Sequence, residues 1–293
     1  MARIAYVNGR YQPLPQATVH IEDRGFQFAD GVYEVCEVRG GHLVDETRHL
    51  DRLERSLARL SLPPPMATHS LRVVIRQVMI LNRIDDGLVY IQLTRGAAPR
   101  NHAFPVKPTR PTLVVTTRIA DSAARAKNQL GIAVVTMPET RWAGVDIKTI
   151  SLLPNVLAKQ TAFEAGAQEA WFVGQDGLVN EGASSNAWIV HGDGVLVTAP
   201  NTAQILEGVT RAIVLEFSSS HGIAIEERRF SVDEARGAEE AFVTSATAIV
   251  TPVIRIDNVA IGEGKPGPVA LGMRAALLSH ADLAPRLAHF VAQ

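Results

Sequence analysis

Cysteine is nearly missing from this 293-residue chain: Cys36 stands alone, which excludes an internal disulfide and any cysteine-rich metal cage. A surplus of charge is missing as well. Lysine and arginine total 29 against 30 for aspartate and glutamate, so no net field draws the chain to nucleic acid or to an anionic membrane surface. No stretch reaches the roughly 20 apolar residues of a spanning helix, and the opening MARIAYVNGRYQPL has no long apolar core after Arg3. HExxH and paired Asp/Glu motifs are absent, and His102 has too few spaced partners for a metal site, which sets metal catalysis aside. These absences, with a lone cysteine that suits a reducing compartment, give the expectation of a soluble, cytoplasmic protein without nucleic-acid or membrane partners. What is present is ordinary for a folded globular protein: 46% hydrophobic and 20% charged residues exclude disorder.

The length suits two domains, because single cores stop growing near roughly 250 residues. IAYVNGRYQPL places Asn8-Gly9 between two short apolar runs, a hairpin signal, and GVYEVCEVRGGHLV repeats the pattern around Gly40-Gly41. In DETRHLDRLERSLARLSL the leucines at 50, 53, 57 and 60 keep three- and four-residue spacing with Arg and Glu between them, an amphipathic helix ended by Pro63-Pro64-Pro65. A second helix, LRVVIRQVMILNRI, and the strands GLVYIQLTRG and TLVVTTRI follow. ADSAARAKNQLG breaks the apolar pattern and reads as a linker over 120–130, between domains at 1–119 and 131–293. The second domain holds many short strands with turns at QDG and GDG, and helices near LLPNVLAKQTAFEAG, GVTRAIVLEFSSSHG and GPVALGMRAALLSHA. Strands and helices that do not strictly alternate predict an α+β fold.

VDIKTISLLPNVLAKQTAFEAG contains two lysines, Lys148 and Lys159, in a nearly uncharged setting. Helical spacing leaves Lys159 undecided, and an amphipathic surface lysine accounts for it. Lys148 precedes a helix that Pro154 helps to start, a junction of the kind that exposes side chains to clefts, with Ile147, Ile150 and Leu152 as apolar company that would disfavour an ammonium. The local stretch leaves open whether either is a reactive amine. Glu181 in VNEGASSNAWIV sits before a Gly/Ser-rich turn, and Gly208, Val209 and Thr210 in ILEGVTR stand at a helix start, where backbone N–H groups can bind phosphate. In TRGAAPRNHAF, Arg100 and His102 could converge on a carboxylate, which Arg can bind as a two-pronged fork, or could decorate a solvated loop. Tyr33 reads as a strand aromatic.

Taken in order, EDRGFQFADGVYEV, HLDRL, TRGAAPRNHAF, DIKTISLLPNVLAKQ, NEGASSNAW, ILEGVTR and FVTSATAIVTPV resemble the fold-type IV family of pyridoxal-phosphate enzymes, over almost the whole chain. The first, third and fourth pieces look most like its bacterial D-amino-acid aminotransferases. The resemblance implies a small α/β N-terminal domain and a larger C-terminal cofactor-binding domain with a β-barrel-like core flanked by helices. It also implies pyridoxal 5'-phosphate as cofactor and a homodimer. Lys148 would form the Schiff base with the cofactor and then act as proton shuttle, and Glu181 would face the pyridine nitrogen, whose protonated form accepts electrons. Arg52 would bind the phosphate with the Val209 and Thr210 N–H groups beside Gly208 and the Thr210 hydroxyl, while Leu206 would pack on the ring. Tyr33 would lie beside the Schiff base, and Arg100 and His102 would hold the substrate carboxylate from the partner subunit. Where relatives often have a threonine after Ser245 this chain has Ala246, which implies loss of a side-chain phosphate contact and leaves the Ala246 N–H. The implied reaction moves an amino group from a D-amino acid such as D-alanine to a 2-oxo acid such as 2-oxoglutarate by ping-pong kinetics. Branched-chain L-amino-acid or (R)-amine transamination and aminodeoxychorismate lysis are the alternatives within the family.

Overall fold

The computed structural model describes residues 3–202, 204–279 and 281, without the side chains of 124 and 125. Among the described residues the chain divides into two compact units: one holds those up to Ala120 together with Ile147–Ser151, the other Asp121–Asp146 and Leu152–Ala281.

The first unit is a six-stranded antiparallel sheet with two long helices. Its elements are β1 (Ile4–Val7), β2 (Arg10–Pro13), the short α1 (Arg24–Phe28), β3 (Gly31–Arg39), β4 (His42–Leu43), α2 (Glu46–Arg59), α3 (Thr68–Asn82), β5 (Gly87–Thr94) and β6 (Thr112–Ile119). The strand order is β2-β1-β6-β5-β3-β4, with every neighbouring pair antiparallel. Asn8 and Gly9 both take positive φ, 48° and 97°, which lets a two-residue turn match the strand twist and sets Val7 opposite Arg10. Leu50, Leu53 and Leu57 of α2, and Leu71, Val74, Ile75, Val78 and Met79 of α3, bury against β3, β5 and β6. The predicted hairpins and the amphipathic helix are all present.

The second unit comprises α4 (Ser122–Gln129), β7 (Ile132–Pro138), α5 (Leu153–Glu164), β8 (Glu169–Val173), β9 (Val179–Gly182), β10 (Asn186–Val190), β11 (Leu196–Thr198), α6 (Val209–Ser220), β12 (Ile225–Glu227), α7 (Val232–Arg236), β13 (Glu240–Ser245), β14 (Ile249–Ile256), β15 (Val259–Ala260) and α8 (Pro268–Ser279). Its sheet runs β12-β11-β10-β13-β14-β7-β8-β9, with β15 on β14. The Gly182 N–H donates to the Ser185 carbonyl at 2.7 Å, turning β9 straight into β10, so the path from β10 round to β9 curls into a half-barrel. Trp171, Val179, Ile189, Val243 and Ile256 fill its core, and α6 and α8 cover a second cluster around Trp188 and Phe242. The architecture is α+β.

Two places differ from the sequence reading. Residues 120–130, expected as a linker, hold α4, and the second unit begins at Asp121. The residues before Lys148, whose segment RWAGVDIKTI reads as leading from a strand to the helix, form no strand: 139–152 are irregular, and Ile147–Ser151 belong to the first unit, joined to β3 by the bridge between Thr149 and Val32 and by hydrogen bonds with Gly31 and Tyr33.

Candidate functional site

Three β3 residues fix Lys148. The Tyr33 N–H donates to the Lys148 carbonyl at 2.9 Å, the Ile150 N–H and the Thr149 hydroxyl both donate to the Gly31 carbonyl, and Val32 bridges Thr149. Gly31 is required there, because a Cβ would lie 2.5 Å from the Leu93 carbonyl oxygen. The Lys148 N–H also donates to the Ser56 hydroxyl of α2 at 3.3 Å. With its backbone held on both sides, the half-buried side chain places Nζ 4.3 Å from the centre of the Tyr33 ring. Among the described residues that amine makes no hydrogen bond or ion pair. Lys159 contrasts with it: its Nζ donates to the Gln168 carbonyl at 2.5 Å and reaches Glu169 at 3.4 Å. One lysine is a tether within the second unit, and the other is an amine that, among the described residues, has the Tyr33 ring beside it and no hydrogen-bond or ion-pair partner.

Behind Tyr33, β3 buries a carboxylate. Glu34 is fully buried and accepts Arg52 Nε at 2.7 Å and Nη2 at 2.9 Å, a fork across both its oxygens, and contacts His49 Nδ1 at 2.9 Å. Burial alone would raise its pKa, yet Arg52 and His49 hold it well below the ordinary carboxylate range. Arg52 is correspondingly raised by Glu34 against its own burial. Tyr33 stacks on Tyr90 with ring centres 5.8 Å apart, and burial pushes the Tyr90 hydroxyl up to about 12.

Arg100 and His102 meet around one ring. Both are exposed, with the Arg100 guanidinium 5.1 Å and the His102 ring 5.4 Å from the centre of Phe28. Buried Arg24 holds their loop from beneath, donating to the carbonyls of Asn101 at 2.6 Å and of His102 and Ala103 at 3.3 Å, while its Nε donates to Asp30.

The second unit gathers its residues around Glu181. This buried carboxylate accepts Arg141 Nη1 at 2.6 Å and the Leu206 N–H at 3.0 Å on Oε1 and, among the described residues, only the neutral Asn186 amide, at 3.0 Å, on Oε2. Burial pushes its pKa up to about 7 despite the pull of Arg141. Asn186 also donates to the Leu206 carbonyl, and a Cβ on Gly208 would fall 2.0 Å from Asn186 Oδ1, so a side chain at 208 would push the amide out of this position. Gly208 is the N-cap of α6 and no side chain caps the helix, so the Val209 and Thr210 N–H groups of the first turn have no helical acceptor. Ser245 ends β13, and its hydroxyl accepts the Ala248 N–H at 3.2 Å and lies 3.3 Å from that of Thr247, with half-buried Ala246 between them in the turn.

Within the first unit, then, Tyr33 and Lys148 come together with Arg52 on the neighbouring helix, while Arg100 and His102 form a separate pair. Within the second, Glu181 and Leu206 share one hydrogen-bonded set through Asn186, and Gly208 lies against that amide. Sequence reasoning missed Glu34, Arg24, Arg141 and Asn186. A signal existed for Glu34, a carboxylate inside the apolar run GVYEVCEV, and for Arg141, a cation two residues after Glu139.

A family model described as amino-transferase class IV matches residues 31–256. The chain is 39% identical over 270 residues to a D-alanine aminotransferase of Bacillus licheniformis, covering 92% of this chain and 94% of that protein. It is 38% identical over 266 residues to a D-alanine aminotransferase of Staphylococcus haemolyticus, covering 90% and 93%. Among solved structures, the Escherichia coli branched-chain amino acid aminotransferase shares the fold with a TM-score of 0.86 at 24% identity, over 96% of this chain and 95% of that one. The T.th. branched-chain amino acid aminotransferase, solved with pyridoxamine 5'-phosphate, has a TM-score of 0.84 at 26% identity, over 95% and 94%.

Proposed function

The chain belongs to the class IV aminotransferases, which are pyridoxal-phosphate-dependent transaminases, and from that premise we propose that it transfers the amino group of a D-amino acid such as D-alanine to a 2-oxo acid such as 2-oxoglutarate. The observation that carries the reaction is the amine of Lys148, its backbone held on β3 and its Nζ over the Tyr33 ring with no hydrogen-bond or ion-pair partner among the described residues. The D-amino-acid preference is supported by identities of 38–39% to D-alanine aminotransferases over nine-tenths of the chain.

The residues present fit a phosphorylated pyridine. Glu181 is a fixed carboxylate with a lightly loaded oxygen for a ring nitrogen, and α6 offers uncapped N–H groups, with the buried Thr210, for a phosphate. Bound pyridoxal phosphate supplies an aldehyde that takes up amines and a protonated ring that accepts the electron pair released at a substrate α-carbon. In this reading Lys148 would hold the aldehyde of the group, and its amine would take the proton from the donor α-carbon. A base carried on the chain replaces a bimolecular encounter, an effect with a ceiling of roughly 7–11 kcal/mol. Glu181 keeps the ring nitrogen protonated. Arg52, the N–H groups of Val209 and Thr210 beside Gly208, and the turn at Ser245 and Ala246 hold the phosphate; Leu206 packs on the ring. Tyr33 flanks the lysine, and Arg100 and His102 bind the substrate carboxylate from the partner subunit of a homodimer. Leu153, Val156, Leu157 and Phe163 lie exposed along one face of α5, apolar surface of the kind that a subunit interface covers.

Protein loaded with pyridoxal phosphate is tested with single amino donors, following the cofactor absorbance. D-alanine alone is expected to bleach it, and L-leucine and (R)-1-phenylethylamine to leave it coloured. Faster bleaching by either of the latter overturns the substrate assignment. Borohydride reduction and peptide mapping should place the cofactor on Lys148; Lys148→Ala should abolish turnover while Lys159→Ala retains it, and a label on Lys159 overturns the lysine assignment.

A further inference from the structure

Arg141 is divided between two carboxylates. Glu139 takes its Nε at 3.0 Å, its Nη2 at 2.7 Å and its backbone N–H at 2.9 Å, which leaves Glu181 a single guanidinium nitrogen, Nη1. Glu139 is itself held: Asn180 donates to its Oε2 at 3.0 Å, and Arg229 donates to Asn180 Oδ1 at 3.0 Å while pairing with Asp176. The guanidinium plane is fixed from a third side by the ring of Phe172 on β8, 4.5 Å from Cζ. The chain therefore builds a row of groups running from a surface ion pair to Glu181, and the row presents Arg141 sideways to the carboxylate it approaches most closely.

We propose that Glu139 is a positioning residue for the transamination: by engaging the fork of Arg141 it keeps that fork off Glu181, so that Glu181 Oε2 remains a strong acceptor toward the cofactor ring nitrogen. The inference rests on the reading that Glu181 faces that nitrogen. A guanidinium that turned two nitrogens onto Glu181 would load both its oxygens and neutralise it, as Arg52 does to Glu34 in this same chain. A carboxylate so neutralised stabilises a protonated ring less. Arg141 and Glu139 both come from the segment after β7 and act on Glu181 in opposite senses; β10 contributes the neutral Asn186 amide and the chain before α6 the Leu206 N–H. Burial would raise Glu139 itself, but Arg141 and Asn180 hold it below the ordinary range, so it carries its charge at neutral pH.

The test uses the loaded enzyme and Glu139→Gln, which keeps shape and removes charge. The magnetic resonance shift of the isotopically labelled ring nitrogen is followed against pH, beside steady-state kinetics with D-alanine. Ring deprotonation is expected to move to lower pH by about one unit, the lower end of what one neighbouring charge does. The kcat should fall about tenfold, a modest part of what a proton-transfer step contributes, with KM little changed. Glu139→Asp should restore part of both. A titration and kcat equal to the wild type overturn the proposal. Glu181→Gln, run in parallel, separates the two ideas. If it leaves the ring-nitrogen titration unmoved, the facing of Glu181 to the ring is wrong; if it moves the titration and Glu139→Gln does not, only the positioning role of Glu139 fails. Should Glu139→Gln not fold, Asn180→Ala, which removes the amide that shares Glu139 Oε2 with Arg141 and helps to hold Glu139 in place, decides: a smaller shift in the same direction supports the proposal, and no shift overturns it.

Discussion

Each unit has, at the residues proposed for the site, a buried carboxylate beside an arginine, and the pKa values of these two carboxylates are shifted in opposite directions. Glu34 in the first unit is held well below the ordinary range, while Glu181 in the second is pushed up to about 7. Burial cannot explain the contrast, since both are buried. Nor can the presence of a cation. The difference is how many of the arriving nitrogens belong to a guanidinium: Arg52 forks across both oxygens of Glu34, beside the His49 ring, whereas Arg141 reaches Glu181 with one nitrogen, gives the others to Glu139 and leaves the neutral Leu206 N–H and Asn186 amide as the remaining donors. A buried carboxylate stays ionised only where the geometry of its partners outweighs desolvation. The first arrangement suits a structural pair that orients Arg52, and the second suits a group whose charge is left for something else to use.

The same substitution at both sites should separate them most sharply. Glu34→Gln strands the Arg52 cation in a dry site, and breaking a buried pair in this way costs roughly 3–5 kcal/mol. Glu181→Gln replaces a carboxyl that below about pH 7 already carries a proton in the cofactor-free protein, and Arg141 keeps Glu139 as its partner. Its cost there at about pH 6 should be small, roughly 1 kcal/mol or less. Denaturant melts of the two cofactor-free variants check this, and equal losses would break the comparison.

The pH dependence follows with opposite signs. For Glu181 the folded pKa lies above the unfolded one, so the folded state binds the extra proton between 4.5 and about 7, and stability falls as pH rises through that window. The full effect is on the order of 3 kcal/mol, and Glu181→Gln should remove it from melts of the cofactor-free protein taken across the window. For Glu34 the folded pKa is depressed. Its contribution is complete above the unfolded value and is lost as pH falls through the folded one. If stability instead rose with pH across the Glu181 window, and Glu181→Gln abolished that rise, the sign of the linkage would be reversed and the contrast with Glu34 lost.

Much of this contrast was hidden in the sequence, for a reason that particular residues make plain. Periodic features were legible: the Asn8-Gly9 hairpin, the leucine stripe of α2 and the strands flanking Gly40-Gly41 all follow from spacing within a few residues. α4 was not, because SAARAKNQ carries no apolar stripe, although its alanines, lysine and arginine are good helix formers. The site was legible as a set of motifs and not as partnerships. Lys148 is fixed by Gly31 and Tyr33 more than a hundred residues earlier, and Glu34 finds Arg52 two elements later; sequence spacing holds no record of either pairing. Arg141 lay in plain view two residues from Glu139, yet nothing local says that its remaining nitrogen goes to Glu181.

The mildest change tests whether neutral donors matter beside guanidinium ones. Asn186 gives Glu181 Oε2 its one amide contact and also donates to the Leu206 carbonyl. Asn186→Ala removes a neutral hydrogen bond worth about 1 kcal/mol and leaves Oε1 with both of its donors. The Glu181 carboxyl should then titrate slightly higher than about 7, because a donor to its charged form is gone while burial and Arg141 remain. Difference infrared titration of the Glu181 carboxyl in the cofactor-free protein reads this directly. A rise of less than about one pH unit fits ionisation governed by the division of Arg141 between two carboxylates. A rise much larger than that would mean the amide, and not the single guanidinium nitrogen, holds Glu181 as low as it is, and the contrast with Glu34 would then rest on Asn186.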